Sequence, residues 1–394
     1  MRLGFKTVIL GLALLSLFSM AMITQGISQL PQRTLMDEYV NGLMKKNITG
    51  ILIIAKGKEI QYQRSFGYAV TESQKPYTME TVFDIGSITK QFTAAAIVHL
   101  ESEGKLGFSD KFSKYFENMP PDKDMITLHH LLTHSSGLQD VGGDYDHAPK
   151  ESVLSRSLKQ ELNFKPGTKY SYSNVGFSFL AAVIEKITGL NYEQYLQKTF
   201  FGPLGMKSTG YQIPDWTNRQ FAIGYFDGKK WGTTIEHGWS KTDKNAVISW
   251  NLYGNGGIHS TINDMLKWMV ALKGNEVLSE KEKSKLFSPY IEDGNGHYCY
   301  GWRSLNTDYG NLITHGGSNG IFYANVAWWT EPDVLMILSV NDTGVRGLGK
   351  SPDEVFANEG LFEKYPALRE RFLFFANGQF LEEIAPLIFK GQVK

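Results

Sequence analysis

The chain has 394 residues, with 40 Lys and Arg against 40 Asp and Glu, a formal net charge of zero and one cysteine, Cys299. A neutral balance without a basic block argues against a nucleic-acid binder, and a lone cysteine excludes an internal disulfide or a cysteine-based zinc site. The length admits a large core in two or three lobes, and 13% aromatic residues suit a folded protein with a lined cleft better than a disordered chain.

Arg2 and Lys6 precede an apolar run from Val8 to Ile23. This reads as an export signal over residues 1–26, with Ser19-Met20-Ala21 offering one cleavage site and Gly26 or Ser28 others. The rival reading is an uncleaved anchor, since the run approaches the length of a membrane span. In either case the folded part is expected outside the cytoplasm: periplasmic or secreted, or anchored with the leader as its only contact with the membrane.

Leu35 to Met44 has the pattern of a short helix. Gly50 to Ala55 is a continuous apolar run, as in a buried strand, and Ile60 to Tyr68 alternates like its hairpin partner. Next comes Phe83-Asp84-Ile85-Gly86-Ser87-Ile88-Thr89-Lys90. Phe92, Ala95, Ala96, Ile97 and Leu100 follow at helical spacing, which predicts an amphipathic helix ending near Gly104. Ser87 then lies at the helix start, with Lys90 one turn in on the same face.

A serine hydroxyl needs a neighbour to take its proton. A lysine three residues on can do so if burial or other cations lower its pKa, and a helix N-terminus supplies N–H groups for an oxyanion. Taken singly, Ser-x-x-Lys equally describes a helix-capping serine beside a solvated lysine.

From about Asp110 to Gly210 the patterns are helical and loop-like. Ile126–Leu132, Phe177–Ile187 and Tyr192–Thr199 read as helices, and Thr261-Ile262-Asn263-Asp264 starts another over Met265–Leu272. Asn311–His315, Phe322–Thr330 and Val334–Val340 read as strands. The expected fold is mixed α/β. One lobe spans about 32–108 and 250–350, a helical lobe spans 109–249, and a helical extension of no evident function spans 351–394. Ligand clefts commonly lie where lobes meet.

Two further stretches carry chemistry. Tyr172-x-Asn174 follows a Pro166-Gly167 turn and puts a phenol and a carboxamide on one side of an extended loop. His315-Gly316-Gly317-Ser318-Asn319-Gly320 ends a strand, where glycines admit close approach to the backbone. Gly316 to Gly320 also matches Gly-x-Ser-x-Gly, but that elbow needs a catalytic histidine after the serine, and His315 is the last histidine. His129, His130 and His134 lack the acidic residue of a zinc motif and read as helix-end polar residues. His259 and His297 are expected to pack or lie at the surface, Cys299 to be a small core residue, and Tyr253 and Trp302 to be cleft walls.

In this order, Ser87-x-x-Lys90, Tyr172-x-Asn174 and His315-x-Gly317 resemble the motifs of the serine β-lactamase and penicillin-binding-protein superfamily. The tyrosine makes the chain similar to the class C β-lactamase, D-alanyl-D-alanine carboxypeptidase and esterase branch. Leu131–Leu138, Phe164–Gly167, Pro203–Met206 and Gly256–Thr261 look like further landmarks, so the resemblance runs from about Leu35 to Val345.

The resemblance implies the β-lactamase fold, an antiparallel sheet flanked by helices with an inserted helical lobe. It also implies Ser87 as the acylated nucleophile, with Lys90 and Tyr172 sharing the base role. The Lys90 ammonium is expected to lower the Tyr172 pKa. Asn174 would bond Lys90 and the acyl side chain, and the N–H groups of Ser87 and Ser318 would form the oxyanion hole.

No metal or organic cofactor is implied, and the partner is a small-molecule or short peptide substrate. The third motif departs from the usual Lys-Thr-Gly or Lys-Ser-Gly. His315 is only partly charged at neutral pH, and Gly316 lacks the hydroxyl that would help hold a substrate carboxylate. The expectation is therefore an esterase or D-amino-acid peptidase rather than an efficient β-lactamase. A class C-type β-lactamase, or a penicillin-binding sensor that acylates but barely turns over, is the alternative.

Overall fold

The computed structural model describes residues 33–142, 148–238, 248–348, 361–376 and 378–390. The leader, residues 1–26, and residues 351–360 of the tail lie outside the described residues. No helix among the described residues is long and apolar enough to cross a membrane.

The chain opens with helix α1 (33–45) and the hairpin β1 (Ile48–Lys56) and β2 (Glu59–Phe66). Short β3 (Phe83–Asp84) leads to a 3-10 turn, Gly86–Ile88, and to α2 (Thr89–Ser102). Helices α3 (Leu128–Leu132), α4 (Lys150–Leu158), α5 (Asn174–Thr188) and α6 (Tyr192–Leu196) follow. A small hairpin, β4 (Gly224–Phe226) and β5 (Lys229–Gly232), and α7 (Thr234–Gly238) lead to β6 (His259–Ser260), which pairs with β3. Helices α8 (Ile262–Lys273) and α9 (Glu280–Leu286) precede the final strands. These are β7 (Ile291–Asp293), β8 (Gly296–Tyr298), β9 (Arg303–Thr307), β10 (Gly310–Ser318), β11 (Tyr323–Trp329) and β12 (Val334–Thr343).

The main sheet runs β2-β1-β12-β11-β10-β9-β8-β7, antiparallel throughout, so both ends of the chain build it. The segment read as purely helical adds β4, which touches β12 in parallel through Tyr225 and Asp342. Side chains alternate across the sheet. Ile51, Ile53, Val326, Leu335 and Ile337 face the helices, whereas Leu52, Ile54, Ala327, Met336 and Leu338 face the opposite side. Continuous apolar strands arise because both faces are covered.

Two described helices of the tail lie on the second face of the sheet. Helices Pro366–Ala376 and Gln379–Ile388 join α1 there. Phe374, Phe375, Phe380, Ile384 and Ile388 pack against the sheet, and the Tyr323 hydroxyl donates to the Phe375 carbonyl at 3.0 Å.

Helix α2 departs from the amphipathic expectation, because every residue from Thr89 to Val98 is buried. It runs between the sheet and α5, so its polar residues need internal partners. The Thr93 hydroxyl donates to the Gly254 carbonyl at 2.6 Å, and the Trp268 indole donates to Gln91 at 3.3 Å.

Replacing Phe380 by Ala should leave a cavity under the sheet and lower unfolding stability by about 3–5 kcal/mol. A urea titration followed by tryptophan fluorescence measures the difference.

Candidate active site

Ser87 sits in the 3-10 turn one step ahead of α2, and Lys90 lies in the first turn of that helix. The Lys90 side chain is fully buried. Its Nζ donates to Ser87 Oγ at 3.0 Å, to Asn174 Oδ1 at 2.8 Å and to the Asn255 carbonyl at 2.8 Å. Three acceptors match the three N–H groups of an ammonium, which offsets the cost of taking the charge out of water. The acceptors come from three places in the chain, so the sequence motif becomes a site only after folding. Asn255, in the loop before β6, is a partner that sequence reading missed, although it adjoins the Gly256–Thr261 landmark.

Tyr172 is 40% exposed overall, yet its hydroxyl end is enclosed, and its oxygen is placed to accept from the Ser87 hydroxyl. The expected fall in its pKa does not occur. Burial raises it, the Ser87 hydrogen bond opposes that rise, and the Asp140 and Asp293 carboxylates raise it further. Lys90 Nζ lies over the phenol ring, 4.7 Å from its centroid. There it gains a cation–π contact with the π face instead of stabilising a phenolate oxygen.

Asn174 is the first residue of α5, and Ser173 is its N-cap. Its carboxamide is orientated from both ends. Oδ1 accepts from Lys90, and Nδ2 donates to Asp140 Oδ2 at 3.2 Å. Asp140 Oδ1 also accepts from Ser173 Oγ at 3.1 Å and from the Val175 N–H at 2.9 Å. A carboxylate at a helix start can take these N–H groups, but nothing local in the sequence ties Asp140 to a loop over thirty residues away. Asp140 thus takes one of the two Asn174 Nδ2 hydrogens and leaves the other for an acyl side chain.

His315 projects from β10 into a closed aromatic layer and is 5% exposed. Its Nδ1 lies 2.7 Å from the Gly316 carbonyl, which can only accept, so Nδ1 carries the proton. Nε2 then accepts from the Tyr298 hydroxyl at 3.0 Å. Burial, with Lys90 and Arg303 nearby, pushes the His315 pKa down to about 3. The partly charged histidine expected from composition is therefore a neutral one, with both ring nitrogens held by the protein.

His134 is the second buried imidazole of this layer. It packs at a tilt of 31° on Tyr172, 4.2 Å between centroids, and meets Tyr298 edge-on at 4.5 Å. Its Nδ1 accepts from the Ser173 N–H at 3.0 Å, so it buttresses the Tyr172–Asn174 loop. Neither His134 nor Tyr298 was singled out as a site residue from the sequence.

The candidate oxyanion donors come from two touching segments. A Cβ built on Gly86 would fall 2.8 Å from the Ser318 nitrogen, and one on Gly317 would fall 1.9 Å from the Ile85 carbonyl oxygen and 2.7 Å from the Ser87 nitrogen. Gly86 also has φ +50, which disfavours a side chain. Glycine at these two positions lets the Ser87 turn and the end of β10 lie main chain to main chain.

Other candidates fall elsewhere. Tyr253 and Trp302 are buried core residues and not cleft walls: Tyr253 stacks on Tyr211 and Trp250, and Trp302 packs on Phe287. His130 completes the capping box of α3, and His129 meets the Tyr300 hydroxyl at 2.8 Å. Cys299 is buried, with its thiol pushed up to about 12 by burial.

The chain is also similar in sequence and fold to proteins of known type. The sequence model of the Beta-lactamase family matches residues 36–354, and the chain belongs to that family. It is 28% identical over 289 residues to penicillin-binding protein 4* of Bacillus subtilis, covering 69% of this chain and 63% of that protein. The chain therefore matches less than two-thirds of that relative's length. It is 26% identical to a β-lactamase of Escherichia coli, covering 87% of this chain and 89% of the other. It is also 26% identical to esterase EstB of Burkholderia gladioli, covering 60% and 69%. An octameric penicillin-binding protein homologue from Pyrococcus abyssi superposes with a TM-score of 0.67 at 26% identity, covering 86% of this chain and 80% of that one. A penicillin-binding protein from Bacillus halodurans does so at 0.66 and 25%, covering 84% and 98%. The expected fold is thus the observed one, and relatives in the family include a β-lactamase and an esterase.

Three buried neutral imidazoles have a consequence for stability. The pKa of His134 is well below its ordinary value, that of His259 is pushed down to about 4, and that of His315 to about 3, chiefly by burial. In the unfolded chain all three take up protons near pH 6.5. Between about 6.5 and 4 the unfolded state therefore binds more protons, and stability should fall as pH drops through that window. Urea midpoints measured from pH 7.5 to 4.5 should decline, and the decline should be shallower in His259→Gln.

Proposed function

We propose that the chain is a serine hydrolase that forms an acyl-enzyme on Ser87 and acts on esters or amides whose reacting carbonyl carries no adjacent carboxylate. The observation that carries this reading is the 3.0 Å contact between Ser87 Oγ and a Lys90 nitrogen held in place by Asn174 and Asn255. In the first half-reaction Ser87 Oγ forms a bond to the carbonyl carbon. The step starts from the form of the Lys90–Tyr172 pair that holds one proton fewer than ammonium plus phenol: that vacancy takes the Ser87 proton, and the pair then passes it to the leaving alkoxide or amine. In the second, water attacks the acyl carbon, the same pair takes its proton, and Ser87 recovers it. The N–H groups of Ser87 and Ser318 would hold the oxyanion in both steps.

The preference for neutral substrates follows from charge. His315 stands where a lysine is usual, and it is neutral with both nitrogens engaged. Gly316 has no hydroxyl, and Arg303 is tied to Asp293 at 2.6 Å. A carboxylate entering beside the third motif would lose water without gaining a full counter-charge. Esterase or D-amino-acid peptidase activity is accordingly favoured over efficient β-lactam turnover. The N-terminal apolar run supports a site of action outside the cytoplasm.

With p-nitrophenyl butyrate the wild-type protein should turn over, and Ser87→Ala should lose about 10³-fold or more. Nitrocefin, which carries a carboxylate, should be hydrolysed at least tenfold more slowly than the ester. Comparable rates would overturn the charge argument, and a stable adduct on Ser87 without turnover, seen by mass spectrometry, would make the chain a slow acylating binder instead. Asp140→Ala should free the Asn174 amide to rotate and lower kcat roughly tenfold, the scale of one charge-assisted hydrogen bond. Steady-state kinetics on the folded variant checks this.

A further inference from the structure

The buried carboxylate of Asp84 lies three residues before the nucleophile and has no part in the proton path. It leaves β3 paired with His259 of β6, and it is buried. Its Oδ1 accepts from the Gly86 N–H at 2.7 Å, and its Oδ2 accepts from Asn319 Nδ2 at 3.2 Å. The Thr234 hydroxyl hydrogen-bonds it as well and lies 2.5 Å from His259 Nε2. Asn319 in turn uses its Oδ1 to accept from the N–H groups of Ile321 at 3.1 Å and Phe322 at 2.8 Å, which shapes the turn after β10. One carboxylate thus grips the turn that presents Ser87 and, through Asn319, the turn that presents Ser318.

We infer that Asp84 is a positioning residue for the oxyanion hole, clasping its two halves through Gly86 and Asn319. The inference rests on the reading of Ser87 N and Ser318 N as the oxyanion donors. Such donors act only when both lie about 2.7–3.1 Å from the developing charge. The two halves come from strands distant in sequence, and Gly86 and Gly317 leave their backbones touching without side chains to lock them. The Asp84–Asn319 pair supplies that lock. A negative charge near a developing oxyanion is unfavourable by Coulomb's law alone. Removing it would by itself speed the reaction, so any slowing on its removal reports lost geometry.

The test is a reciprocal exchange. In Asp84→Asn the new amide nitrogen faces the Asn319 amide nitrogen, donor against donor. In Asn319→Asp two carboxylates face one another. Each should lower kcat for p-nitrophenyl butyrate by about 10–100-fold, below the ~10²–10³ of losing a donor outright, with KM within about threefold. The rate of Ser87 labelling by a fluorophosphonate should fall in parallel.

The double variant Asp84→Asn/Asn319→Asp restores a donor opposite an acceptor and should return kcat to within about threefold of wild type. Asn319→Ala removes the donor without repulsion and covers the case in which a single exchange fails to fold. A wild-type kcat in Asp84→Asn and Asn319→Ala, or a folded double variant no faster than the single ones, overturns the inference while leaving the hydrolase reading intact. A wild-type protein that neither turns over ester nor takes the fluorophosphonate overturns the hydrolase reading itself, and the inference with it.

Discussion

A buried ammonium beneath a serine is the constraint on which the site is built. Moving a lysine nitrogen out of water costs several kcal/mol unless its donors are met. Lys90 meets Ser87, Asn174 and the Asn255 carbonyl, and the faces of Tyr172 and Phe177 lie over it at 4.7 and 5.6 Å. These groups sit on the turn before α2, at the start of α5 and in the loop ahead of β6. Satisfying one charge therefore obliges three distant segments to converge. The burial of α2 on nearly every side is the same constraint seen from the fold, since a helix carrying this nitrogen under the cleft has protein all round it.

The surroundings of that charge are neutral and aromatic. His134, Tyr172, Tyr298 and His315 form a packed layer in which each imidazole has its tautomer set by a backbone or phenol partner. Low dielectric keeps the imidazoles uncharged and the phenols protonated. The layer thus positions the loop carrying Tyr172 and Asn174 without adding a second cation, and the cleft differs in charge from one built around a lysine in the third motif. Asp140 completes the arrangement by fixing which end of the Asn174 amide faces Lys90.

Opposite that layer, backbone contact replaces side-chain packing. The Ser87 turn and the end of β10 meet at Gly86 and Gly317, where any Cβ would collide with main-chain atoms. Glycine permits the approach but does not hold it, because it has no side chain with which to make contacts. The holding falls to polar groups just outside, the Asp84 carboxylate and the Asn319 amide. The far face of the sheet, covered by α1 and the C-terminal helices, carries no part of the site but buries the other half of each strand.

Much of this was legible before folding. Apolar runs and turn residues are local signals, so β1, β2, α5, α8 and the last three strands were foreseen to within a few residues. The order of Ser87-x-x-Lys90, Tyr172-x-Asn174 and His315-x-Gly317 carried the family. Neighbours in the chain encode this much of the chemistry: a nucleophile with an amine three residues on, glycines where backbone must approach, and strands rich enough to be covered twice. The electrostatic state of those groups was set by the fold. The direction of the Tyr172 shift, the neutrality of His315, the partners Asn255, Asp140 and Tyr298, and the core positions of Tyr253 and Trp302 all depend on which atoms surround a side chain in space. Burial and hydrogen bonding act over a few ångströms, and the partners Tyr298, Asp140 and Asn255 lie from 17 to 165 residues away along the chain.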